Sequence, residues 1–185
     1  MTLTREAVVA LVQERVANEN LRRHMLATES IMRAVAERLG EDVEAWGLAG
    51  LGHDLDSEQT EDDFTRHGRE AADLLAAAGA SDDVVHAVAA HNPATGEQAQ
   101  RPIDVALIAS DQLGGLVTAA ALVRPDKELE GVQVKSLRKR FREGAFARGV
   151  DRASIQRCEE LGIPLDDFFA LGLAAMQGIA PDLGM

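Results

Sequence analysis

The stretch that decides this fold lies at residues 47–56 and reads GLAGLGHDLD. Its small and apolar residues are typical of a helix that packs closely on another helix. Glycine in a helix costs about 1 kcal/mol relative to alanine, so Gly47, Gly50 and Gly52 predict that another backbone or a bound ion comes near. The helix ends in the doublet His53-Asp54. Neighbouring residues lie about 100° apart on a helix, so this pair can converge on one object only at the helix edge or end.

The composition around this stretch indicates an all-α protein. The chain has 185 residues, with five Phe, one Trp and no Tyr, and it lacks alternating β-branched runs long enough for a strand. We expect a single domain over residues 1–185, built as a helical bundle. Its core covers about residues 18–123, and a C-terminal helical extension covers about residues 124–185.

Charge and hydropathy argue against several function classes. A formal charge of −12 argues against general nucleic-acid binding, because such binding neutralises phosphates with Lys and Arg. No uninterrupted apolar run reaches the ~18–20 residues that span a bilayer, and the N-terminal sequence lacks the form of a signal peptide. The single Cys158 excludes an internal disulfide. The sequence therefore predicts a cytoplasmic protein with neither a membrane nor a nucleic-acid partner.

Helical periodicity places several polar side chains on apolar, inward faces. They come from five predicted helices, at about residues 18–38, 41–54, 67–78, 81–92 and 102–123. The inward residues are His24, His53, Asp54, His67, His91 and Asp111. His86 shares a helix with His91 but lies off the apolar face, so we select His91.

One histidine on an apolar face is usually an ordinary core residue, but this set is larger and contains carboxylates. A buried, unpaired carboxylate costs several kcal/mol, and no Lys or Arg lies on these apolar faces. All six residues are of types that bind transition metals through nitrogen or oxygen. A bound cation therefore explains the whole set.

The ordered set resembles the HD-domain superfamily of metal-dependent phosphohydrolases, an all-helical fold. The resemblance covers roughly residues 18–120, and the histidines between the doublet and Asp111 look like those of the HDIG-type branch, which holds two metals. It implies one ion held by His24, His53, Asp54 and Asp111, and a second held by His67 and His91, with Asp54 as the bridge. The implied cofactor is two divalent transition-metal ions, of Fe, Mn, Ni or Zn.

Departures from the family pattern bear on the substrate. The HDIG signature has Gly-Lys where this chain has Asp56-Ser57, so the cation that meets a phosphate must come from elsewhere. Nucleotidase and alarmone-hydrolase branches place an acid three residues after the doublet's aspartate, where this chain has Ser57 followed by Glu58. The Gly-Tyr-Pro signature of cyclic-dinucleotide phosphodiesterases is missing from the sequence.

The leading interpretation is hydrolysis of a small phosphorylated substrate, nucleotide-like or sugar-phosphate-like, by a metal-activated hydroxide. Asp54 would orient the nucleophile, and Asp56 or Glu58 would protonate the leaving oxygen. Cationic side chains would clamp the phosphate, and residues 124–157 hold ten Lys/Arg against five Asp/Glu. The candidate clamps are Arg66, Arg124, Lys127, Lys135 and Lys139.

Two other function classes stay open. The same six-ligand arrangement is similar, in some members of the superfamily, to diiron oxygenase sites that cleave C–C or C–P bonds. A third interpretation is a non-catalytic module that senses a ligand, with residues 124–157 as a docking surface. The apolar run at Phe168 and Phe169 packs either on its own domain or on a second copy, as a homo-oligomer would require.

Overall fold

A computed structural model describes residues 3–185 as ten α-helices, with no strand among these residues. The predicted all-α class is confirmed. The helices are α1 (Arg5–Arg15), α2 (Glu19–Leu39), α3 (Val43–Gly52), α4 (Arg69–Ala77), α5 (Asp82–Ala90), α6 (Pro102–Leu122), α7 (Val134–Arg142), α8 (Arg152–Gln156), α9 (Leu165–Gly178) and α10 (Ala180–Leu183). Met1 and Thr2, part of the N-terminal sequence considered above, lie outside the described residues.

The helix ends follow capping residues in the sequence. The side chain of Asn18 accepts two backbone N–H groups of the first turn of α2, and Asp42 accepts one at the start of α3. Gly40 ends α2 in the left-handed region with φ of 75°, which is typical of an αL cap. Ser81 is of a residue type that favours helix N-caps and precedes α5, but its side chain makes no capping hydrogen bond.

Helix α6 runs through the middle of the molecule and packs on α2, α5, α7, α8 and α9. Because it has neighbours on most sides, its apolar surface extends around most of its circumference. By length and composition alone α6 could cross a membrane, although most of it is buried inside the molecule. It also carries Asp104 and Asp111, so we interpret it as a core helix.

Helix α3 packs directly against the backbone of α2 at Gly50. A Cβ atom at Gly50 would lie 2.9 Å from backbone atoms of Glu29 and 2.9 Å from the carbonyl oxygen of Thr28. A side chain there would push the two helices apart. The prediction of a close backbone approach is confirmed at Gly50, whereas Gly47 and Gly52 face side chains.

The segment after α6 packs on the same core. Its buried side chains include Leu129, Leu137, Ile155, Cys158, Phe168, Phe169 and Met176. Phe168 and Phe169 have no exposed surface, and α9 packs on α2 and α6. The apolar run of α9 is therefore buried by its own chain. The division into a core and an extension stays a prediction.

Candidate metal centre

Six polar side chains meet where α2 and α6 pass the ends of α3, α4 and α5. His24 lies in α2 and Asp111 in α6. The other four lie at helix ends, where the backbone can turn toward a common point: His53 and Asp54 follow α3, His67 precedes α4, and His91 caps α5. The structure brings together all six residues that the sequence places on inward faces.

Asp54 lies between two groups of imidazoles, and each of its oxygens faces one group. Oδ2 lies 3.4 Å from Nε2 of His53 and 3.8 Å from Nε2 of His24. Oδ1 lies 3.3 Å from Nε2 of His67 and 3.7 Å from Nε2 of His91. One carboxylate therefore lies against both groups, and the potential ligand atoms of His53, Asp54 and His91 all lie within 4.8 Å of one another, as do those of His24, His53 and Asp111.

Asp111 completes the first group. Its Oδ1 lies 2.9 Å from Nε2 of His24 and 3.9 Å from Nε2 of His53. Its Oδ2 accepts a hydrogen bond from the Gln112 side chain at 2.8 Å. The aspartate predicted on the apolar face of a long helix is thus paired, as the cost of burying a lone carboxylate requires.

Backbone carbonyls set the tautomer of two histidines. Nδ1 of His53 lies 2.8 Å from the carbonyl oxygen of Gly50, and Nδ1 of His91 lies 2.6 Å from that of Val88. A carbonyl oxygen only accepts, so each Nδ1 carries the hydrogen and each Nε2 presents a lone pair when the ring is neutral. Nε2 of His53 is buried with no hydrogen-bond partner among residues 3–185, a position that suits a metal ligand.

Asp56 orients the third imidazole. Its Oδ1 accepts a hydrogen bond from Nδ1 of His67 at 2.9 Å, and its Oδ2 accepts the backbone N–H groups of Gly68 and Ala71 at 2.8 Å each. Gly68 has φ of 90°, and a Cβ there would lie 2.9 Å from the carbonyl oxygen of Val88. Glycine at position 68 therefore allows the backbone turn that places His67 in the cluster.

The charged groups of the site shift one another's pKa values. Burial acts to lower the pKa of His24, but the neighbouring carboxylates outweigh it and raise the pKa to about 9. The same balance raises the pKa of His67 to about 9. Burial lowers the pKa of His53. Burial acts to raise the pKa of Asp54, but the surrounding imidazoles, His53 first, hold it well below its usual value. A divalent cation would replace the protons of these imidazoles.

A cavity of about 380 Å³ opens onto this group. Four of the six side chains form part of its wall: Asp54, His67, His91 and Asp111. The rest of the wall includes Ser57, Phe64, Ile108, Gln112, Asp151 and Ser154. Among residues 3–185, no Lys or Arg lines this cavity.

None of the predicted phosphate clamps lines this cavity, and their role stays a prediction. Arg66 and Arg124 form ion pairs with acidic neighbours at 2.6 and 2.8 Å. Lys135 and Lys139 are exposed on α7, whereas Lys127 lines a second cavity together with His24 and Arg23. Proximity in sequence to a ligand, or membership of a basic segment, does not determine where a long side chain points.

The two predicted proton donors also have other partners. Asp56 is 1% exposed and makes the three hydrogen bonds described above. Glu58 accepts the backbone N–H groups of Ala17 and Asn18 at 2.9 and 2.7 Å, in the turn before α2. Neither carboxylate lines the cavity, so neither is placed to protonate a leaving group there. No local sequence pattern indicates the role of Asp56 in orienting His67.

Two other candidate groups lie outside the site. His86, rejected in favour of His91, lies 2.9 Å from Asp104 and 3.4 Å from Glu97. Cys158 is fully buried, and burial raises the pKa of its thiol to about 12. A nucleophilic role for Cys158 is therefore excluded at neutral pH.

Comparison with known proteins gives one family. A family model described as HD domain matches residues 21–130, more than half of the chain. All six clustered residues lie within the matched segment, whereas Asp151 and Ser154 of the cavity wall lie beyond it. No curated protein and no solved structure matches the chain significantly.

Proposed function

This chain belongs to the HD-domain family, and from that premise we propose that it is a metal-dependent phosphohydrolase acting on a small phosphate ester. The observation that carries the proposal is the position of Asp54, whose two oxygens face two separate groups of imidazole Nε2 atoms. A shared carboxylate between two cation sites is a recurring arrangement in enzymes that cleave phosphate esters.

The residues present fit the implied metal ions. Four imidazoles and two carboxylates form a donor set that suits Fe, Mn, Ni or Zn, and the buried, unpartnered Nε2 of His53 is the clearest mark of a missing partner. In this proposal His24, His53 and Asp111 would hold one ion, His67 and His91 would hold the other, and Asp54 would be shared. When bound, such ions would lower the pKa of a water molecule and compensate the charge of a phosphoryl group.

The side chains of the chain itself supply orientation. Asp54 fixes the spacing of the two groups, and Asp56 holds His67 in the tautomer whose Nε2 faces Asp54. The cavity, with a volume of about 380 Å³, has room for a small ester beside these groups. Because Asp56 and Glu58 face away from the cavity, we assign neither as the proton donor.

The test compares metal content and phosphate release in matched variants. We expect His53→Ala and Asp54→Ala to lose bound metal and to release phosphate from a generic monoester or diester at least about 100-fold more slowly. His86→Ala removes a histidine outside the site and is expected to keep both properties. Wild-type activity in His53→Ala or Asp54→Ala would end this proposal, and unchanged metal content in His67→Ala and His91→Ala would indicate one ion or a non-catalytic site.

A diiron oxygenase is the second candidate, and one observation favours it. The cavity has no Lys or Arg on its wall within residues 3–185, whereas phosphate-binding sites commonly use such cations. The ligand types do not separate the two chemistries. Metal analysis of protein purified without oxygen, together with oxygen consumption on candidate substrates, separates them: oxygen uptake coupled to substrate loss supports the oxygenase, and phosphate release without oxygen supports the hydrolase.

A further inference from the structure

The outer wall of the cavity comes from a part of the chain that the family match does not cover. Asp151, just before α8, and Ser154, within α8, line the same cavity as the clustered histidines. The family match ends at residue 130. Family membership therefore says nothing about what this wall recognises, and its own chemistry must be considered.

A side-chain amide links this wall to the site. Gln112 donates from Nε2 to Oδ2 of Asp111 at 2.8 Å, and its Oε1 accepts the backbone N–H of Asp151 at 2.8 Å. Both ends of one amide are used, so the start of α8 is held at a set distance from Asp111. Residues supported in this way can position a ligand with precision.

The carboxylate of Asp151 accepts the polar hydrogens at the start of α8. Its Oδ1 accepts the backbone N–H of Ala153 at 3.0 Å, and its Oδ2 accepts the hydroxyl of Ser154 at 2.6 Å. The N–H groups at the start of α8, which otherwise attract anions, thus already face a negative charge. Asp151 is exposed to solvent and lines the cavity, so its charge lies next to whatever occupies the cavity.

The neighbouring cations lie outside the cavity wall. Arg152, the residue after Asp151, donates to the backbone carbonyls of Ala147, Val150 and Phe146 and does not line the cavity. Arg157 lines an adjacent cavity that also contains Ser154 and Glu97, and its guanidinium pairs with Glu160 at 2.8 Å. Within residues 3–185 the cavity wall itself has no Lys or Arg. The wall away from the histidines is therefore negative.

We propose that this cavity selects phosphate esters whose organic group is neutral or carries an amine, and that Asp151 is the residue that rejects a second anionic group. The inference rests on the proposed function, because the phosphoryl group is assigned to the two-ion site. The organic group then lies against Phe64 and Ile108, with the hydroxyl of Ser154 and the carboxylate of Asp151 at its far end.

The test uses three esters of matched size: phosphoethanolamine, ethyl phosphate and phosphoglycolate, whose two-carbon groups end in ammonium, methyl and carboxylate. With Mn²⁺-loaded protein, we expect phosphoethanolamine to exceed phosphoglycolate by about tenfold in affinity and in kcat/KM, as a nearby charge at moderate dielectric allows. In Asp151→Asn that ratio should fall by about threefold or more. Asparagine caps a helix as well as aspartate, so α8 is retained.

A matched control and an independent measurement make the outcomes decisive. Asp42→Asn removes the same charge from another helix N-cap, outside the cavity, and should leave the ratio unchanged. Calorimetric affinities are measured alongside turnover. A preference for phosphoglycolate, or an equal ratio in wild type and Asp151→Asn, would overturn the inference. The expected order of affinities without any phosphate release would support the inference and contradict the hydrolase proposal instead.

Discussion

For three of the four clustered imidazoles, a single residue bonded to Nδ1 decides where Nε2 points. For His53 and His91 that residue supplies a backbone carbonyl, and for His67 it is the carboxylate of Asp56. Partners of this kind fix the tautomer and raise the basicity of the ligand. Asp56 is the one of these partners that a substitution can remove without changing the backbone.

Replacing Asp56 tests this supporting role. Asp56→Asn replaces one accepting carboxylate oxygen with an amide N–H₂ group. At least one buried N–H group of His67, Gly68 or Ala71 then loses its acceptor, which reduces the free energy of unfolding by about 1–3 kcal/mol. On the two-ion proposal, we expect the affinity of His67 and His91 for their metal ion to fall by about 10–100-fold, while the other ion is retained. The measurement is metal per chain after dialysis at a buffered free-metal concentration.

The control for this variant is Glu58→Gln. Glu58 lies close in sequence but bonds only backbone groups before α2, so its metal content and activity should match those of the wild type. Two ions per chain in Asp56→Asn, with full activity, would contradict the assignment of Asp56 as a positioning residue.

At the scale of helices, the contact between α2 and α3 sets the distance between His24 and His53. Gly50 permits that contact, and its own carbonyl oxygen also orients His53. The two long helices α2 and α6 carry one ligand each in their interiors, while the ends of the shorter helices carry the rest. Packing at Gly50 is therefore tied to the geometry of the site.

Gly50→Ala tests the importance of this packing. The added methyl group would meet backbone atoms at 2.9 Å, and overpacking of this kind typically costs about 1–3 kcal/mol. We expect a lower midpoint in urea and weaker metal binding. Gly178→Ala at the end of α9 is the control, since a Cβ atom there meets nothing within 4 Å. This variant should have the stability of the wild type or exceed it by up to about 1 kcal/mol. If the urea midpoint of Gly50→Ala equals that of the wild type, α2 and α3 move apart without loss of stability, and the prediction is wrong.

At the scale of the whole molecule, the C-terminal segment and the core share one set of buried side chains. Cys158 lies at this junction, fully buried, in a short 3₁₀ segment that packs on α6. Burial holds the pKa of its thiol at about 12, whereas an unfolded thiol has a pKa of about 8.5. The protonation state of one thiol therefore reports on docking of the C-terminal segment.

This difference predicts a pH dependence of stability. Above pH ~8.5 the unfolded chain loses the thiol proton and the folded chain keeps it, so the free energy of unfolding falls by about 1.4 kcal/mol per pH unit on approach to pH 12. The stabilising contribution is complete below pH ~8.5 and is lost as the pH rises. Urea denaturation of wild type and Cys158→Ala between pH 8 and 10.5 isolates it, because other groups titrate equally in both. Parallel slopes would contradict the burial of this thiol.

The sequence predicts the positions of the clustered histidines and aspartates better than those of the long cationic side chains. His24, His91 and Asp111 could be assigned from periodicity, because the face of a helix on which a residue lies depends on local spacing. Arg66 and Lys127 could not be placed in the same way. Their long side chains adopt directions set by neighbouring acids and by the turns that carry them, which no local pattern records.

The sequence by itself determined the helical class, the approximate boundaries of the main helices and the six inward polar residues, because periodicity, capping residues and glycines act over a few neighbouring positions. Only the tertiary structure decided which oxygen of Asp54 faces which imidazoles, that Asp56 supports His67, and that Asp151 forms the far wall of the cavity. Asp151 lies far from the ligands along the chain and reaches them through Gln112. Contacts of that range depend on how whole helices pack, and packing is settled by the complete set of buried side chains rather than by any one stretch.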